Sequence, residues 1–428
     1  MGGVAVVAAV LLAYAVVERR LRRTPISGAM LFATVGLLAS DQVTGLFSPS
    51  FHGDAAEFLE LTLVIVLFTD AMAVNASGWT TEAPIPVRLL GVGLPLTMLA
   101  GWALAVAFFP GIGVWSAALL AAVLAPTDSA LGLPVINDER VPRLIRHALN
   151  VEGGLNDGLA LPFVTIFLAL ALEQEGAVGG GHVLTVFLRA LVASAAIGLV
   201  IGWAGALALR WSMRQGWSGR HWRSVALLAM AMLAFVLADE IDGSGFIAAW
   251  AAGFAAGLAA HGELTEAQQT PEEIANIGVS VSFVLFGAFF LAPSLEHVTW
   301  TALGYALLSL TVVRMLPVAI ALYGSGLTLQ TVAYVGWFGP RGLASIVFAD
   351  LVAASRLPDQ GLIVDVVMLT VGLSVLLHGA SAPWGASRYG RWYADTVLAD
   401  PGIREAAEAP QVANRVRLSQ GERPKRIG

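Results

Sequence analysis

Among its 428 residues the sequence has no cysteine. That excludes disulfides, thiolate metal sites and cysteine nucleophiles. Lysine is nearly absent too: Lys425 is the only one, so arginine carries almost all the positive charge. Charged residues make up only 13% of the chain, about half the roughly 25% of a soluble domain. No HExxH and no G-x-S-x-G serine-nucleophile motif occurs. The seven histidines (His52, His147, His182, His221, His261, His297 and His378) read as loop or span-end residues. Protease or hydrolase chemistry therefore has no carrier, and nothing in the chain implies a cofactor or nucleic-acid binding.

What the chain has in abundance is apolar sequence, at 57%. A membrane span needs about 20 apolar residues, and about thirteen runs approach that length. The fold expected is all-α and polytopic. The first run, "GGVAVVAAVLLAYAVV", has no basic region before it and "ERRLRR" after it, so it reads as a span and not as a cleaved signal. Arginines sort to alternate loops. Arg19, Arg20, Arg22 and Arg23 follow the first span, Arg140, Arg143 and Arg146 the fifth, and Arg210, Arg214, Arg220 and Arg223 flank the turn after the seventh. The loops Asp41–Glu57, Glu173–His182 and Pro293–Trp300 have no Lys or Arg; Arg189 and Arg356 are exceptions to the pattern, and the acidic loop His261–Glu273, read as cytosolic, has no basic residue. By the positive-inside rule the N-terminus lies outside and the C-terminus in the cytosol, in a cell (inner) membrane. Residues 1–384 form the transmembrane domain; 385–428 read as a short, polar, disordered cytosolic tail.

Several charges stand where water is absent. In "NVEGGLNDGLALPF" the sixth span, Leu144–Leu172, carries Glu152, Asn156 and Asp157. Asp157 falls about 20 Å from either end, near the bilayer midplane. A carboxylate there costs at least about 2.5–3.5 kcal/mol and must face protein or a water-filled cavity. A single polar residue can simply glue helices together, but two acids and an amide within six residues exceed that need. Span five, Val114–Ile136, contains "LAPTDSALGLP", where Pro126 breaks the helix beside Thr127 and Asp128. Span twelve, Thr331–Ala354, repeats the device as "WFGPRGLASIVF" around Arg341. Either alone reads as an ordinary proline kink. Together, with opposite charges, they point to interrupted helices in two inverted repeats, with a midplane site between them. Asp128 suits exposed helix N-termini, and Arg341 suits carbonyl ends. Arg314 in span eleven needs an anion, and Glu152 is its natural partner, which leaves Asp157 for mobile ions. Asp70, in "FTDA" of span three, fits either an interfacial cap or an ion ligand.

In their order and spans, "APTDSALG", "NVEGGLNDG" and "FGPRGLASIVFA" resemble the NhaP-like sodium/proton antiporters of the cation:proton antiporter superfamily. "GSGFIAAWAAGF" in span nine adds to the likeness. The resemblance implies an NhaA-like fold, with spans four to six and eleven to thirteen as a mobile core. Spans one to three and seven to ten would form a scaffold that joins a homodimer. It also implies that Asp157 is the shared proton and cation carboxylate, with Asn156 beside it. Asp70 and a Thr127 carbonyl would be further ligands of a monovalent cation, and Glu152 and Arg314 a structural ion pair. One departure matters. Gly153 stands where many relatives carry serine, so a hydroxyl ligand is missing and water is its expected substitute.

An ionised, desolvated Asp157 cannot cross the membrane cheaply, so proton and cation compete to neutralise it. Competition with alternating access is exchange of Na⁺, Li⁺ or K⁺ for H⁺. The resemblance further implies an electroneutral one-for-one cycle, because Asn156 is neutral where electrogenic relatives have a second aspartate. The alternative is a sodium-coupled symporter of an organic anion on a similar inverted repeat. It would need basic groups in its pocket, and both buried arginines are already assigned. A channel would not need a midplane carboxylate that must be neutralised.

Overall fold

The computed structural model describes residues 2–21, 24–76, 84–176, 183–400 and 402–407. Among the described residues every regular element is helical, and continuity groups them into thirteen passes. They are α1 (Gly2–Leu21), α2 (Gly28–Ala39), α3 (His52–Ala76), α4 (Pro84–Phe108), α5a (Val114–Val123) with α5b (Ser129–Ile136), and α6 (Arg143–Gln174). There follow α7 (Val183–Arg214), α8 (Arg220–Asp239), α9 (Gly245–Ala260), α10 (Thr265–His297) and α11 (Trp300–Ala321). The last two are α12, split into α12a (Leu329–Trp337) and α12b (Leu343–Ala353), and α13 (Gln360–Ala399). Among the described residues seven helices are long and apolar enough to cross a membrane. The shorter apolar ones include α2, α5a, α9 and α12b.

Both interruptions expected from sequence are present. Helix α5a ends at Val123, and α5b begins only after Asp128, which caps it by accepting from the N–H groups of Ala130 (2.7 Å) and Leu131 (3.1 Å). Pro126 has no N–H to continue the ladder. In α12 the break covers Phe338–Gly342, around Pro340. Three further irregularities were not anticipated: π-helical turns at Leu89–Gly93 in α4 and Phe286–Leu291 in α10, each followed two residues later by a proline (Pro95, Pro293), and a break in α11 at Thr311, three residues before Arg314.

Packing follows side-chain size. Helices α3, α7, α8, α9 and α10 pack on one another, and α4, α5a, α6 and the paired α11, α12b and α13 form a second group. A Cβ at Gly198 or Gly202 of α7 would overlap the carbonyls of Ala248 and Ala252 in α9, so these glycines permit backbone contact between the helices. At Gly158 the indole of Trp250 from α9 fills the space that a side chain would take.

Loop contacts group the helix ends. The Arg210 guanidinium donates to Glu263 (2.6 Å) and Arg88 to the Tyr323 carbonyl (2.8 Å). At the opposite end the Gly113 N–H donates to Asp359 (3.0 Å).

The C-terminal region departs from expectation. Helix α13 runs through position 384 to Ala399, a length of about 60 Å, twice the roughly 30 Å bilayer core. Beyond it a turn at Arg404–Ala406 packs back on the protein, with Glu405 only 1% exposed. The start of the tail is therefore ordered by packing. Residues 408–428 lie outside the described residues.

Candidate functional site

The two broken helices cross, and each break carries the charge that satisfies the other. The Asp128 N–H donates to the Pro340 carbonyl (2.7 Å). One carboxylate oxygen of Asp128 caps α5b, while the other accepts from the Leu343 N–H at the start of α12b (2.9 Å). A single carboxylate thus faces two helix N-termini, where partial positive charge accumulates. Arg341, fully buried, donates to the carbonyls of Ala125 and Pro126 at the end of α5a. Its N–H donates to Ser374 of α13 (2.7 Å). Two glycines of "FGPRG" make room for these charges. A Cβ at Gly342 would overlap the Asp128 carboxylate, and one at Gly339 would overlap the Arg314 guanidinium.

His378 corrects the histidine reading. It lies inside α13 and is 2% exposed, because that helix is far longer than its apolar run suggested. Its Nε2 meets the Trp337 carbonyl (2.9 Å), so it braces the end of α12a.

Arg314 donates to both carboxylate oxygens of Glu152, at 2.6 and 2.9 Å, and each side chain is 3–4% exposed. A fork-to-fork pair of this kind fixes orientation as well as charge. It ties α11 to α6 beside the crossing.

Asp157 lies 14 residues into α6, about 21 Å along its axis, and is 6% exposed. It lines a cavity together with Asp70, Asp128, Ser129, Glu272 and Asn276. Asp70 is buried and accepts from the Ser129 hydroxyl (3.1 Å). Glu272 and Asn276 reach the cavity from α10 and are partly exposed, so the cavity leads outward along that helix. Oxygen ligands of this hard type suit alkali cations, whereas soft or redox metals favour sulfur and imidazole.

The remaining expected ligands sit differently. The Asn156 amide donates to the Thr127 carbonyl (3.1 Å) and hydroxyl (2.5 Å), pinning the unwound stretch of α5 to α6. Thr127 lines a second, smaller cavity with Glu152 and Gly153, which adjoins the one that Asp157 and Asp70 share, because Asp128 and Ser129 line both. The structure thus gathers Asp157, Asp70 and Asp128 around one cavity. Thr127 and Asn156, bonded to each other, do not line that cavity. Sequence reading passed over Ser129, Glu272 and Asn276. Ser129 lies inside a motif already singled out, but Glu272 sits in the acidic stretch His261–Glu273 that reads as a cytosolic loop, and Asn276 at the start of the apolar run that follows it.

Comparison with known proteins agrees with this architecture. Residues 6–387 match the family described as sodium/hydrogen exchanger, transmembrane. A K⁺/H⁺ antiporter, NhaP, of Alkalimonas amylolytica is 25% identical over 85% of this chain and 62% of its own length. A probable Na⁺/H⁺ antiporter of Schizosaccharomyces pombe is 23% identical over 82% of this chain and 51% of its own. The chain therefore spans only about half to three-fifths of these curated relatives. Among solved structures, the sodium proton antiporter MjNhaP1 of Methanocaldococcus jannaschii superposes with a TM-score of 0.73 at 20% identity, covering 91% of this chain and all of that one. Two crossed broken helices, a buried mid-helix aspartate and a family match over most of the sequence lead to one assignment: the chain belongs to the sodium/hydrogen exchanger family.

Proposed function

We propose that the chain exchanges a monovalent cation for H⁺ across a membrane by alternating access, with both ions competing for Asp157. The observation that carries this is the buried carboxylate of Asp157 in mid-helix, sharing a cavity with Asp70 beside the crossing. An ionised group there must be neutralised before the surrounding helices can move it through an apolar environment. The relatives named above are Na⁺/H⁺ and K⁺/H⁺ antiporters, which supports the class of exchange and leaves Na⁺, Li⁺ and K⁺ as the candidate cargo.

The division of helix packing supports a core of α4–α6 and α11–α13 moving against a scaffold of α1–α3 and α7–α10. The scaffold is also the proposed seat of a homodimer, which native mass spectrometry reads directly. Asn156 is neutral and already bonded to Thr127, which supports one cation per proton. The cavity opens at the arginine-rich, cytosolic end in this reading, with the N-terminus outside.

The test is purified protein in liposomes holding a pH-sensitive dye. Adding Na⁺, Li⁺ or K⁺ should dequench it, and choline should not. Asp157→Asn, nearly unchanged in size but unable to titrate, should fold normally and abolish the response. Silence toward every alkali cation overturns the proposal. Robust exchange by the pure Asp157→Asn protein removes that residue from its role.

A further inference from the structure

Gly153 raises a question of space. The helix α6 backbone at this position lies directly against the first residue of α5b: a Cβ built on Gly153 would stand 3.0 Å from the Ser129 Cβ and 3.2 Å from its Cα. Real Cβ atoms seldom come so close, and behind the Ser129 Cβ stand its backbone Cα and N, the latter at 3.4 Å. A side chain on α6 here would press the start of α5b, and Ser129 with it, outward by a few tenths of an ångström. The bare glycine is the seat into which Ser129 fits.

The hydroxyl of Ser129 is directed into the site. Ser129 is 8% exposed, lines the cavity with Asp70 and Asp157, and donates to Asp70 Oδ2 at 3.1 Å. A serine hydroxyl has one donor hydrogen and two acceptor lone pairs, and it rotates to suit its surroundings. Beside an ionised Asp70 it donates. With a cation between the carboxylates it can turn its hydrogen away and offer a lone pair, a hard neutral oxygen well matched to Na⁺, Li⁺ or K⁺. Its neighbour Asp128 is committed to two helix caps, so the hydroxyl is held on a fixed backbone.

We infer that Ser129 supplies a hydroxyl ligand of the transported cation and that Gly153 exists to admit it. The inference rests on the exchange reading above and adds to it a residue that sets cation affinity. It also reverses a simple expectation, since adding serine at 153 would crowd the site.

The experiment is ²²Na⁺ uptake into proteoliposomes with full Na⁺ titrations, alongside thermal stability in detergent. Ser129→Ala should raise the apparent Km for Na⁺ about fivefold or more, with a smaller loss in maximal rate, the size expected for one polar contact. Gly153→Ser alone should lose stability and activity. The relocated pair Ser129→Gly with Gly153→Ser, which returns a hydroxyl from the opposite wall, should recover most of the Km. Ser129→Cys guards against a folding artefact: its volume is close to serine's, and a soft sulfur should still raise Km for Na⁺. An unchanged Km in folded Ser129→Ala and Ser129→Cys overturns the inference, as does a fully active Gly153→Ser with improved affinity. Neither outcome touches the exchange reading, which fails only if the unmodified protein moves no alkali cation.

Discussion

Arg314 and Glu152 show how a buried charge behaves when its partner is removed. The pair is bidentate and almost wholly enclosed, so neither group has water to fall back on. Arg314→Ala leaves the Glu152 carboxylate stranded, a loss of about 3–5 kcal/mol. Glu152→Gln added to that variant removes the stranded charge and should restore part of the melting temperature. A double variant no more stable than Arg314→Ala would mean that the carboxylate is satisfied elsewhere. This partnership was legible in the sequence, because each residue interrupts an apolar run and each needs the opposite sign. Ser129 was not. It is a small residue next to a louder aspartate, and its importance lies in how closely the α6 backbone passes it, which no local pattern encodes.

At the scale of elements, the breaks in α5 and α12 could be read from proline, glycine and charge, because each has a local cause. The π-helical turns, the break in α11 at Thr311 and the length of α13 were not read, because proline in a membrane helix is a weak guide to form: Pro95 and Pro293 follow π-helical turns, whereas Pro383 lies within the unbroken α13. The start of the tail was misread for a related reason. Its composition is polar, but a single residue anchors it. Glu405 accepts from the Thr328 N–H (2.8 Å), the Thr328 hydroxyl (2.7 Å) and the Thr331 hydroxyl (2.7 Å) at the start of α12a. Tyr389 completes the cluster through Thr331 (2.8 Å). Burial pushes the Glu405 carboxyl up, but the hydrogen bonds from Thr331 and Thr328 outweigh it and hold the group below the usual glutamate range. A depressed carboxylate contributes stability that is complete above its unfolded value, and that is lost as pH falls through its folded value. Near neutral pH the contact is therefore fully formed and acts as a fixed brace on α12a. Glu405→Gln should lower thermal stability by about 1 kcal/mol, comparable to loss of a helix cap. It should leave the pH profile of exchange in place. A shifted profile would instead make the tail a sensor.

At the scale of the whole molecule the question is whether one site serves both ions. Asp157 and Asp70 share one cavity, and the crossing beside it is held by Asp128, Arg341 and the Glu152–Arg314 pair. These groups are committed to helix ends or to each other, which supports a rigid unit moving with whichever ion Asp157 holds. Competition has a distinct kinetic signature. A protonated Asp157 cannot bind Na⁺, so acid removes sites that added Na⁺ can recover by mass action. The apparent Km for Na⁺ should rise about tenfold for each pH unit of acidification below the site's midpoint. The maximal rate at saturating Na⁺ and equal pH on both sides should change much less. A separate pH sensor behaves differently: it closes the transporter in acid whatever the Na⁺ concentration, lowering the maximal rate and leaving Km flat. Exchange of ²²Na⁺ in proteoliposomes, with a full titration at each of several pH values, separates the two. Flat Km with a falling maximal rate would place proton control outside the Asp157 cavity, even in a protein that exchanges Na⁺ for H⁺.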